Sequence, residues 1–219
     1  SAALAFASHQ GLPYAFWRSP GSAGFQVLVS TSQPVMAPVF DGDDVPGFVA
    51  APFRSEDGNQ AWRLKADVLI TAQGTRYLDG TRLVDEPVTE MQARITTGLP
   101  RQPLQAPADQ GAVPEPTDRA TYEQRVSHAV SHITGGHCDK IVLSRIVPEQ
   151  LPDDYDLIDL AERLEQAHPH AFICVLNAVP TGTWLIATPE ILMSVDGRGI
   201  QTMALAGTQW PSEGTELAD

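Results

Sequence analysis

The sequence predicts an α+β fold, with mixed or antiparallel sheets and flanking helices, and three observations carry that prediction. The first is a set of short apolar or alternating runs in the N-terminal part, separated by Gly and Pro clusters. The second is a pair of later segments whose apolar residues recur with helical spacing. The third is that the strands beyond them are joined by tight turns, which favours antiparallel pairs over a doubly wound parallel sheet.

Taken in order, residues 1–94 read as a β-rich part. Gly24 to Ser30, Val45 to Ala51 and Ala66 to Thr71 are strand-like, and Ser19-Pro20-Gly21 is a typical separator. Residues 95–119 change texture: five prolines (Pro100, Pro103, Pro107, Pro114 and Pro116) leave no periodicity, so this stretch reads as a Pro-rich linker or loop. Thr117 or Asp118 caps a helix that runs to about Ile133. Val126, Ala129, Val130 and Ile133 form its apolar stripe, and Gly135-Gly136 stop it. Lys140 to Val147 reads as a β-branched strand. Asp153 and Asp154 offer caps for a second helix with Leu157, Leu160, Ala161 and Leu164 on one face, ended by His168-Pro169. Ala171 to Val179, Thr183 to Thr188, Ile191 to Val195 and Gly199 to Ala206 follow as strands, with Asp196-Gly197 as a turn.

Composition limits the function. The chain has 219 residues, with 14 Lys+Arg against 27 Asp+Glu and a formal charge of −13. Nucleic-acid binding draws its affinity from basic groups that displace counterions, so a nucleic-acid partner is not expected. At 42% hydrophobic and 19% charged residues the chain can bury a core. No apolar run approaches the ~20 residues that span a bilayer, so no membrane partner is expected either. Ser1 to Ala7 is apolar but lacks a basic n-region and is too short for a signal peptide. Cys138 and Cys174 make no disulfide framework. Together these features suit the cytoplasm.

Most candidate sites have a simpler structural explanation. His128 and His132, with His137 beyond, invite a zinc reading, but at about 100° per residue the first two fall opposite the apolar stripe. The Glu of a His-Glu-x-x-His motif is also absent. Cys174 lies in an apolar strand and reads as core, and Cys138 has no partner at CxxC spacing. Helix capping explains Asp153-Asp154. Gly197-Arg198-Gly199 precedes a strand, so it offers no helix N-terminus for a phosphate. Two residues resist such readings. Lys140 opens the apolar run Ile141-Val142-Leu143, and Glu190 follows Pro189 in a turn between two apolar segments.

Three ordered segments then carry a resemblance. Lys140-Ile141-Val142-Leu143-Ser144-Arg145 resembles the Lys-Val-Val-Leu-Ser-Arg strand of the chorismate-utilising enzymes. Ala187-Thr188-Pro189-Glu190 resembles their Ala-Ser-Pro-Glu turn, with Thr188 keeping the hydroxyl of the usual serine. Ala204-Leu205-Ala206-Gly207-Thr208 resembles their Ala-Gly-Thr substrate loop. The match extends over residues 120–210, and within the family it is closest to the isochorismate synthases. Lysine at the position of Lys140 marks the water-using branch. Water is a poor nucleophile until a base takes its proton, whereas ammonia brings its own lone pair.

The resemblance implies a part of the family's α/β sandwich, with residues 120–219 as the first part of the chorismate-binding region. It also implies a reaction, the isomerisation of chorismate to isochorismate. Lys140 is the base for water attack at C2, Glu190 the acid for the departing C4 hydroxyl, and Ala206, Gly207 and Thr208 bind substrate. Burial is expected to lower the lysine pKa and raise the glutamate pKa. Mg²⁺ is the implied cofactor, holding the substrate carboxylates. Its glutamate ligands in the family lie downstream of the Ala-Gly-Thr loop, so they are expected beyond Asp219. Residues 1–219 alone are expected to expose a large apolar face and to be inactive unless their own C-terminal fragment stays associated. A salicylate synthase, which goes on to expel pyruvate, shares the same residues and stays open, as does a non-catalytic binding or assembly module. Both menaquinone and siderophore synthesis remain open as destinations.

Overall fold

The computed structural model describes residues 1–38, 45–52, 60–107, 115–179, 181–196 and 199–203. Eight strands and two helices come first: α1 (Ala2–Gln10), β1 (Tyr14–Arg18), β2 (Gln26–Val29), β3 (Val35–Pro38), β4 (Gly47–Ala50), β5 (Gln60–Lys65), β6 (Val68–Thr71), β7 (Gly74–Asp79), β8 (Arg82–Val84) and α2 (Glu90–Thr97). Then follow α3 (Arg119–Thr134), α4 (Leu157–Ala167), β9 (Phe172–Ala178), β10 (Gly182–Thr188), β11 (Ser194–Asp196) and β12 (Gly199–Gln201).

The fold is α+β. Seven strands form one antiparallel sheet in the order β10-β9-β1-β2-β6-β7-β8, so strands from both ends of the chain share it. The β1–β9 register sets Phe16 opposite Val175 and Arg18 opposite Ile173. Because side chains alternate along a strand, Tyr14, Phe16, Val27, Val29, Ile173 and Val175 share one face. There they pack with Leu4 and Phe6 of α1, Ile95 of α2, and Leu157 and Ala161 of α4. Ala15, Leu28 and Leu176 point the other way, onto Leu64 and Ala66, with Phe48 and Trp17 alongside. That second layer is built by a smaller sheet of order β3-β5-β4.

Local hydrogen bonds lock the helices onto the sheet. Buried Gln92 completes a capping box at Thr89 and donates its amide to the Leu78 and Asp67 carbonyls at 2.8 and 3.1 Å. The Pro-rich stretch packs beside α4: Leu104 is buried, its N–H donates to Asp156 (3.2 Å), and its carbonyl accepts the Leu157 N–H (2.8 Å). Arg18 pairs with Glu165 at 3.4 Å and donates to the Pro169 carbonyl at 3.2 Å, which holds the far end of α4.

Several elements differ from the sequence expectation. The apolar opening segment is helix α1, and α2 closes what reads as an all-β stretch. Asp156, and neither Asp153 nor Asp154, caps α4, because Asp153 and Asp154 lie in a turn that precedes it. The expected strand over Lys140 to Val147 does not form. Its residues join no sheet, since no described strand pairs with them to accept their backbone bonds. Of Ile191 to Val195, only Ser194 and Val195 are in a strand. Asp196 pairs with Gly199 in the β11–β12 hairpin, while Gly197 and Arg198 lie outside the described residues. No described helix is long and apolar enough to cross a membrane.

Candidate active site

Glu190 sits two residues beyond the end of β10, in a turn whose geometry the sequence over-determines. Thr188 is the last paired residue of β10, opposite Phe172. A residue before proline is held extended, and Pro189 fixes its own φ. The Glu190 N–H then donates to the Thr188 hydroxyl oxygen at 3.2 Å. On the other side, the Met203 N–H donates to the Ile191 carbonyl at 3.2 Å. That bond brings the chain leading into Ala204 next to Glu190. Ala206, Gly207 and Thr208 themselves lie outside the described residues.

Lys140 enters from a different element. Helix α3 is capped by Asp118, whose carboxylate accepts the Thr121 N–H (2.9 Å) and is held below its usual pKa mainly by its hydrogen bonds to Thr121. The helix stops at Gly135-Gly136, where Gly136 takes the left-handed φ of 73°. The following segment folds back along α3. The Ile146 carbonyl accepts the Thr117 N–H at 2.9 Å, and the Arg145 guanidinium lies 5.6 Å from the centre of the Tyr122 ring. Lys140 opens this returning segment and is exposed, as is Glu190. The burial expected around both groups is therefore not supplied by the described residues.

A cavity of about 490 Å³ reaches the turn, lined by Leu164, His168 and His170 on one side and Ala187 and Pro189 on the other. A hollow of about 570 Å³ between Trp62, Trp184 and Phe48 opens on the opposite face of the large sheet. Apolar side chains are open to solvent on α3, at Val130 and Ile133, and close in sequence to the two candidates, at Val142 (81% exposed) and Leu192 (90%).

The other sequence candidates resolve simply. His132 and His137 place their rings 5.4 Å apart at the exposed end of α3. Among the described residues no group of three or more His, Cys, Asp or Glu side chains could hold a metal ion. Cys174 is a core thiol, which burial pushes up to about 12. The feature missed at the sequence level is the work of the Thr188 hydroxyl. Its signal was present, because Ser or Thr two residues before a backbone N–H is the pattern of a hydroxyl-closed turn.

The sequence profile described as chorismate binding enzyme matches residues 59–219. Isochorismate synthase of Escherichia coli strain K12 is 33% identical over 97 residues, which are 44% of this chain and 24% of that protein. Anthranilate synthase component 1 of Streptomyces coelicolor is 32% identical over 148 residues, 62% of this chain and 28% of that protein. The matched stretches thus span about a quarter of the length of these curated relatives. No solved structure matches at comparable significance.

Proposed function

Because the chain belongs to the chorismate binding enzyme family, we propose that it carries the water-adding residues of an isochorismate synthase. What supports this most is a lysine at residue 140, where the resemblance implies the water-activating base, together with an acid at residue 190 in a turn fixed on both sides. In this mechanism the neutral Lys140 amine takes a proton from water as the oxygen attacks C2 of chorismate. The ring double bonds shift, the C4 hydroxyl departs, and Glu190 gives it the proton that completes a water molecule. One water enters and one leaves, so the product is an isomer. The base ends as ammonium and the acid as carboxylate, and exchange with solvent resets both.

The mechanism needs a neutral lysine and a protonated glutamate. Desolvation favours both, and here it must come from bound substrate or from residues outside those described. Mg²⁺ supplies charge neutralisation for a dicarboxylate substrate where it is bound, and chorismate meets a chain of net charge −13. The described residues offer no ligand set for it, and no step of this mechanism depends on it.

The longer alignment with an anthranilate synthase component favours a second reading, in which ammonia is the nucleophile. Product analysis separates the two. With chorismate and Mg²⁺ in water, without ammonium ion, the protein with its C-terminal fragment associated is expected to form isochorismate, and Lys140→Ala is expected to reduce that by at least about a hundredfold. Because Lys140 is exposed, its thermal melt should stay within about 0.5 kcal/mol of the parent. Anthranilate formed with ammonium ion, at a rate indifferent to Lys140→Ala, overturns the proposal. Pyruvate and fluorescent salicylate instead of accumulated isochorismate assign the salicylate-forming variant of the same water chemistry.

A further inference from the structure

We infer that Thr188 is a positioning residue for the acid, holding the Glu190 backbone in the one turn that presents its carboxyl to substrate; this rests on the role proposed for Glu190. The Glu190 side chain is exposed, so packing cannot aim it. What aims it is its backbone, and three restraints act there. Thr188 is anchored by its pairing with Phe172 at the end of β10. Pro189 removes one rotatable backbone angle. The Thr188 oxygen then captures the Glu190 N–H at 3.2 Å, while the same hydroxyl faces the Glu190 carbonyl at the weaker distance of 3.5 Å. The first two restraints leave the ψ of Pro189 free, and the hydroxyl closes it. Immediately beyond, the Ile191 carbonyl is tied to the Met203 N–H, so a rotation at Pro189 is not absorbed downstream. A donor swinging on such a pivot loses alignment with the departing oxygen, and misplacement by an ångström costs catalysis heavily.

The role needs a hydroxyl at the β-carbon and nothing else. Thr188→Val keeps the shape and the strand preference but loses the acceptor, and Thr188→Ser keeps the acceptor. The expected result for Thr188→Val is a kcat lower by roughly ten- to hundredfold with KM nearly unchanged, whereas Thr188→Ser restores kcat to within about twofold. Amide hydrogen exchange at Glu190 reads the same bond without any turnover. Protection there is expected to fall in Thr188→Val and to be retained in Thr188→Ser. Unchanged Glu190 protection in Thr188→Val overturns the inference, as does a kcat equal to the parent while Glu190→Gln is inactive. Full activity of Glu190→Gln instead removes the acid assignment, and the exchange measurement then still decides whether Thr188 holds the turn.

Discussion

Helices α3 and α4 both carry apolar residues at helical spacing, more sharply segregated in α4, and end in opposite circumstances. In α4, Leu157 and Ala161 are buried against the seven-stranded sheet, joined by partly buried Ile158 and Leu164. In α3, no residue is buried, and Val126, Val130 and Ile133 are exposed. An amphipathic pattern specifies a helix and the side it will bury, but the partner must come from elsewhere in the fold. The contrast extends beyond the helices. The layer of α1, α2, α4 and the large sheet is closed, whereas the stretch holding Lys140, Glu190 and the β11–β12 hairpin lies open. The residues proposed for catalysis lie on the open side, and the Glu190 turn is held there by hydrogen bonds more than by packing.

Mutations should divide along that line. Phe16 is 2% exposed and meets Phe25 edge-on with ring centres 5.7 Å apart. Phe16→Ala is expected to cost about 3–5 kcal/mol, through lost burial and the cavity left behind, in a denaturant titration. A cost below about 1 kcal/mol would mean that this layer is not the stabilising one. A smaller effect comes from pH. Burial raises the Cys174 thiol from its ordinary 9.0 to about 12, and burial likewise raises the Tyr14 hydroxyl, which has no hydrogen-bond partner. The folded chain thus keeps a thiol proton that the unfolded chain gives up. This contribution is fully present below pH 9 and is lost as pH rises toward 12. By pH 10.5 the loss attributable to Cys174 is about 2 kcal/mol, so Cys174→Val should show a shallower alkaline fall in melting temperature than the parent. Equal slopes would place that thiol in contact with solvent. The smallest effect belongs to the open side: Val130→Ala is expected to shift stability by less than about 0.5 kcal/mol. A cost comparable to that of Phe16→Ala would break the comparison, because α3 would then be packed.

The closed side was only partly legible in the sequence. β9, β10 and α4 follow from alternation and helical spacing, and a buried Cys174 follows from its apolar run. α1 was hidden because Ala2-Ala3-Leu4-Ala5-Phe6-Ala7 is apolar on every side and shows no period. The true cap of α4 was hidden because Asp153, Asp154 and Asp156 are equivalent as caps until the Leu104 backbone selects the third. On the open side the motifs were legible and their surroundings were not. Lys140 to Val147 has every property of a strand except a neighbour. The turn at Glu190 was written in Thr188-Pro189, but its approach to Met203 depends on a contact that sequence alone does not display.

The central claim is that Lys140 turns water into the nucleophile, and isotopic oxygen tests it directly. Chorismate turned over in H₂¹⁸O should yield isochorismate labelled at the C2 hydroxyl, and Lys140→Ala should yield none detectable under the same conditions. Unlabelled product from the parent protein, or labelled product from Lys140→Ala at the parent rate, contradicts the account.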